Sequence, residues 1–154
     1  MSEASQLKQR IEADLKSALL AGDKDTVQTL RGLKASILSE EVATGKRDTG
    51  LEDKEIEVVV AREIKKRRES IEMYSQNNRD ELAENEQFEI DVLENYLPPQ
   101  LTEDEIHDKV EAKITELGAA GIKDMGRVIG ALKTELGTSV DGASLAKVVK
   151  DRLS

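Results

Sequence analysis

The sequence predicts an all-α protein in two helical subdomains, an N-terminal four-helix, bundle-like unit and a C-terminal three-helix unit. Three observations carry that reading. Apolar residues recur with the 3.6-residue period of a helix along nearly the whole chain. The only two prolines are adjacent, Pro98-Pro99, and break the pattern once. Aromatic residues make up only 2% of the chain, so the core must be built from Leu, Ile, Val and Ala.

Taken in order, Leu7, Ile11, Leu15, Ala18 and Leu19 form a first inward stripe, which Gly22 and Asp23 end. Val27, Leu30, Leu33, Ile37 and Leu38 form a second. The stretch from Thr44 to Gly50 has two glycines and no apolar residue and reads as a loop. Ile56, Val59, Val60, Ile64, Ile71 and Tyr74 make a long third stripe. The β-branched run Val58-Val59-Val60 hints at a strand, but the helical period on both sides overrules it. Ser75 to Asn78 ends this helix, and Leu82, Ala83, Ile90, Leu93 and Leu97 mark a fourth. Short connections favour antiparallel neighbours, hence a bundle over residues 1–97.

Pro98 and Pro99 lack amide hydrogens and cannot continue a helix. Residues 98–101 therefore read as a stiff junction. Thr102 with Glu105 three residues on is a capping box that opens the second unit, residues 102–154. Ile106, Val110, Ile114 and Leu117 line its first helix, closed by Gly118. Met125, Val128, Ile129, Leu132 and Leu136 line the next. Asp141 caps the last, whose inner face is Leu145, Val148, Val149 and Leu153. Gly126 and Gly130 sit inside the middle helix, where each costs roughly 1 kcal/mol relative to Ala. Close approach of another helix is the expected structural reason, and close approach of a ligand backbone the functional one.

Charge limits the functions on offer. With 23 Lys+Arg against 32 Asp+Glu the net charge is -9, so contact with nucleic acid must use a local patch. Two places qualify. Arg62, Lys65, Lys66, Arg67 and Arg68 form a basic run, read either as an anion contact or as a solvated helix face paired with nearby glutamates. From Gly118 onward six bases face four acids, against the acidic remainder. There Lys123, Arg127, Lys147 and Lys150, with Gly126 and Gly130, are the candidate partner-binding set. No catalytic residue is assigned. The sole histidine, His107, reads as a surface residue, and without Cys neither a thiolate zinc site nor the usual triad can be assembled. No cofactor and no metal are expected. No apolar run approaches the ~20 residues that span a bilayer, and no signal-peptide core opens the chain. A monomeric, cytoplasmic protein without membrane contact is the expectation.

Four segments also resemble the YqeY proteins of the GatB/YqeY family: Arg31-Gly-Leu-Lys-Ala-Ser-Ile, Arg62 to Tyr74, Glu89 to Leu101, and Lys123-Asp-Met-Gly-Arg-Val-Ile-Gly-Ala-Leu. The resemblance runs from about Leu7 to Leu153. It implies two all-helical subdomains and kinship with the tail of the B subunit of the glutamine-dependent Asp/Glu-tRNA amidotransferase. It implies tRNA, or a tRNA-amidotransferase- or synthetase-like protein, as partner. It also carries the family label of carbon–nitrogen ligase with glutamine as amido-N donor. The residues themselves supply no activated nucleophile for glutaminase chemistry. The expected role is therefore a non-catalytic binding module, with a helical protein–protein adaptor as the alternative. One departure is local: the turn Gly137-Thr138-Ser139-Val140-Asp141-Gly142 is one residue longer than is common in the family and carries no base.

Overall fold

The computed structural model describes residues 5–154. Among them are seven α-helices and no strand: α1 Gln6–Ala21, α2 Lys24–Ala43, α3 Asp53–Gln76, α4 Asp80–Glu94, α5 Glu103–Leu117, α6 Met125–Leu136 and α7 Gly142–Leu153. Short 3-10 turns, Ile122–Asp124 and Gly137–Ser139, precede and follow α6. The chain divides into two compact units, the first ending at Leu97 and the second spanning Pro98–Ser154.

In the first unit α2 packs against α1, α3 and α4, while α3 and α4 form a long hairpin across the short turn at residues 77–79. Ile11, Leu30, Leu33, Ile56, Val60 and Ile64 are almost wholly buried between them. Tyr96 closes one end of the core. Its hydroxyl donates to Asp14 at 2.6 Å, and the guanidinium of Arg10 lies 4.9 Å from its ring centre while donating to the Asn95 carbonyl. Burial, then the Asp14 carboxylate, pushes the Tyr96 phenol well above its usual range.

Three inward assignments need correction. Leu19, Leu38 and Leu82 were expected in the core stripes, yet they are 49%, 46% and 38% exposed. Each sits at the edge of its stripe, and the small cross-section of the bundle leaves that edge uncovered. The fourth helix also stops earlier than its stripe. It ends at Glu94, and the amides of Asn95, Tyr96 and Leu97 bond back three residues rather than four. Tightening of this kind is expected where a proline removes helical freedom from the residue before it.

In the second unit α5, α6 and α7 each pack against the other two. The capping box is formed: Thr102 Oγ1 accepts from the Glu105 amide at 3.2 Å, and the Glu105 carboxylate accepts from the Thr102 amide at 3.1 Å. These two bonds hold the Glu105 carboxyl below its ordinary value. Gly118 ends α5 at φ +63°, a conformation that strains side-chain-bearing residues. Val110, Val128, Leu132, Leu145 and Val149 are completely buried and form an aliphatic core.

Candidate functional site

The basic run on α3 is a set of ties between helices. Arg62 pairs with Glu40 of α2 at 3.1 Å, Arg67 with Glu89 of α4 at 2.7 Å, and Arg68 with Glu94 of α4 at 3.6 Å. Lys66 turns back onto Glu63 at 3.0 Å. Only Lys65 of the five has no carboxylate partner among the described residues. Glu63 is the hub: it is 8% exposed and also accepts from Ser36 of α2 at 2.8 Å. Burial pushes its carboxyl upward. The hydrogen bonds from Lys66 and Ser36 and the charges of Lys66 and Arg67 outweigh that and hold it below the ordinary value.

The bases of α6 and α7 are differently placed. Asp124 organises the start of α6: its carboxylate accepts from the Ala120 amide at 3.0 Å and from Arg127 at 3.3 Å. The amide bond first, then the Arg127 charge, keep Asp124 below its usual range despite some burial. Arg127, a sequence candidate, is thus already engaged, though at an exposed position where such a pair contributes little. Lys123 lies exposed one turn earlier, in the 3-10 turn.

Gly126 and Gly130 do not serve close helix packing. Both are exposed, and a Cβ added at either would meet nothing within 4 Å. The expected structural reason is therefore corrected: α7 packs beside the Val128–Leu132 face, and the glycines lie on the flank outside that contact. Positions 126, 130 and 133 recur at i, i+4, i+7 and share that flank. Lys133 reaches the start of α7, where its Cε and Nζ lie 3.8 and 3.9 Å from where a Gly142 Cβ would stand.

On α7, Leu145, Val148, Val149 and Leu153 point inward, which turns Lys147 and Lys150 out to solvent. Arg152 reaches α5 and binds both carboxylate oxygens of Glu111. At about 100° per residue, Lys147 and Lys150 fall on the outer face of α7, away from its buried stripe. The outer surfaces of α6 and α7 thus carry two exposed glycines, Gly126 and Gly130, and three exposed lysines, Lys133, Lys147 and Lys150. None of these three lysines has a carboxylate partner among the described residues. Arg127 and Lys123 lie at the start of α6, a row from the glycines, and Lys147 and Lys150 lie exposed on α7. Lys133 was not singled out from the sequence, although its spacing from the two glycines was readable. The lysines of α5 behave like those of α3: Lys113 bonds Glu116 at 2.8 Å and Glu135 of α6 at 3.1 Å, which holds its ammonium above the ordinary value.

Comparison with known proteins fits this architecture. The family described as "Yqey-like protein" matches residues 8–153. The chain belongs to this family. Among its curated relatives is "Altered inheritance of mitochondria protein 41, mitochondrial" of Lachancea thermotolerans, 36% identical over 109 residues, which are 70% of this chain and 57% of that protein. The protein of the same name from Pyrenophora tritici-repentis is 30% identical over 145 residues, 92% of this chain and 78% of its own. The chain thus spans little more than half of the first relative. The mitochondrial names also overturn the expectation of a cytoplasmic location. That expectation rested on the lack of an apolar secretory core, a test blind to mitochondrial import, whose signals are amphipathic and basic.

Proposed function

We propose that this Yqey-like chain is a non-catalytic helical binding module whose α6–α7 seam takes an anionic partner, with tRNA, free or held by an amidotransferase-like protein, as the reading that fits best. The single observation that carries it is the seam itself. In a chain of net charge -9, Lys133, Lys147 and Lys150 meet no carboxylate among the described residues, on two helices of which one also exposes Gly126 and Gly130. A wall without side chains lets a phosphate backbone approach, and unpaired ammonium groups beside it meet the phosphates without first losing a partner. Arg127, at the rim, can exchange Asp124 for phosphate, to which its fork-shaped guanidinium binds through two parallel bonds.

Among the described residues no reacting group supports the carbon–nitrogen ligase label of the family resemblance. His107 is exposed on α5, and the buried carboxylates Glu41 and Glu63 are occupied by Lys8, Ser36, Lys66 and Arg67. Binding of fluorescently labelled bulk tRNA, followed by anisotropy, tests the reading. Lys147→Glu with Lys150→Glu should weaken binding by about tenfold or more, because two contacts become repulsions. Binding unchanged in that variant, or none by the wild type at moderate salt, would refute the tRNA reading and leave a protein partner in its place.

A further inference from the structure

We propose that the groove between α1 and α2 is a docking site for an acidic amphipathic helix of a partner protein. The groove lies in the first unit and does not depend on the α6–α7 seam. It starts from two leucines of adjacent helices that the bundle leaves half-exposed. Leu19 of α1 and Leu38 of α2 are half-exposed, and each lines a cavity on the α1–α2 seam. The cavity around Leu19, bordered by Val27, Lys24 and Arg31, is about 540 Å³. The one around Leu38, bordered by Ile11, Lys34 and Ala35, is about 320 Å³.

The two cavities follow one another along the same α1–α2 seam. On α1, Lys8, Glu12 and Leu19 recur at i, i+4, i+11. On α2, Lys24, Val27, Arg31 and Leu38 recur at i, i+3, i+7, i+14. Each set marks a single flank of its helix, so both cavities open on the same side of the seam. With α1 at 16 residues, the seam is about 24 Å long, the length of a partner helix of about 16 residues. An apolar floor of this width and length suits recognition of a helix laid into a groove.

Charge decides what kind of helix. Along the lining, Lys8, Lys24, Arg31 and Lys34 face only Glu12 and Glu41. Glu41 is 2% exposed and is consumed by Lys8 at 3.1 Å and the Leu51 amide at 3.1 Å. Lys24 and Arg31 have no carboxylate partner among the described residues. Glu12 reaches Lys34 only at 4.0 Å, with both groups well exposed. It stands where a partner's carboxylate would bind. A helix with an apolar stripe flanked by Glu or Asp therefore complements the groove, and a basic helix does not. The apolar floor disfavours a hydrated phosphate chain, which separates this site from a nucleic-acid contact.

The test uses the full chain and two labelled synthetic peptides of about 18 residues. Both carry one leucine stripe at i, i+3, i+4, i+7; one has glutamates on its flanks, the other lysines. Anisotropy should show the glutamate peptide binding about tenfold more tightly or better, with a Kd that rises with salt. Arg31→Glu and, separately, Leu38→Gln should each weaken it severalfold. Both positions are exposed, and a melting curve confirms that each variant folds. Glu12→Gln should strengthen binding about twofold by releasing Lys34. Lys147→Glu, in the other unit, should leave it unchanged. Equal binding of the two peptides, no binding of either, indifference to Arg31→Glu, or competition by tRNA would each overturn the proposal.

Discussion

The α3 bases and the α6–α7 lysines are similar in composition and opposite in use. On α3, Arg62, Lys66, Arg67 and Arg68 meet Glu40, Glu63, Glu89 and Glu94, three of which come from other helices. On α6 and α7, Lys133, Lys147 and Lys150 meet no carboxylate among the described residues, because the acids of that unit lie mainly on α5. The denser run in the sequence is thus the less available one. What makes a cation a contact for a partner is the absence of an internal claimant, not the number of bases in a row.

The largest expected effect comes from breaking the α3 ties. Arg67 is the best buried of these bases and serves Glu63 and Glu89 together. Arg67→Ala should cost the first unit about 2 kcal/mol at neutral pH, less than a fully buried pair because both carboxylates keep some contact with water or other donors. Chemical denaturation should show it. The cost should also fall in acid. Glu63's carboxyl is held below its unfolded value, so its contribution is complete above the ordinary carboxylate range and disappears as pH drops through the depressed folded value. A cost that stays constant from pH 7 down to pH 3 would exclude this coupling. By contrast, Lys147→Ala and Lys150→Ala should move stability by no more than about 0.5 kcal/mol.

A smaller effect has a revealing sign. Gly126 and Gly130 are helical, exposed and open where a Cβ would go, and Gly130 lies in the helix interior, so Gly130→Ala should stabilise the second unit by roughly 0.5–1 kcal/mol. The same methyl should weaken tRNA binding if the bare helix wall matters. Higher melting temperature together with lower affinity would separate a functional glycine from a structural one. Destabilisation would show that the glycine is needed by the fold.

The local features were legible in the sequence. Asp23, Thr102 and Asp141 cap helices as read, and Gly118 ends one, because each effect acts within a single turn. Features set by distant partners were not. Arg67 and Glu89 are 22 positions apart, and only the packing of α3 on α4 joins them. Tyr96, read only as part of a motif, is held by Asp14 from 82 positions away. Leu19 and Leu38 follow the inward period faithfully, and their exposure arises only because no further helix lies over that flank. The seam was half legible: helical spacing links Gly126, Gly130 and Lys133, but the direction of that flank depends on where α7 packs.

The central claim is that the α6–α7 lysines bind a polyanion and the α3 bases do not. It is tested most directly by the salt dependence of tRNA binding, measured from about 50 to 200 mM for three proteins. These are the wild type, the pair Lys147→Ala with Lys150→Ala, and the pair Lys65→Ala with Lys66→Ala. The account predicts that the α7 pair lowers the slope of log K against log salt by roughly 1.5, at 0.7–0.9 for each lost phosphate contact, and that the α3 pair leaves it unchanged. A slope that falls only in the α3 pair, or a wild type that shows no salt-dependent binding, would contradict it.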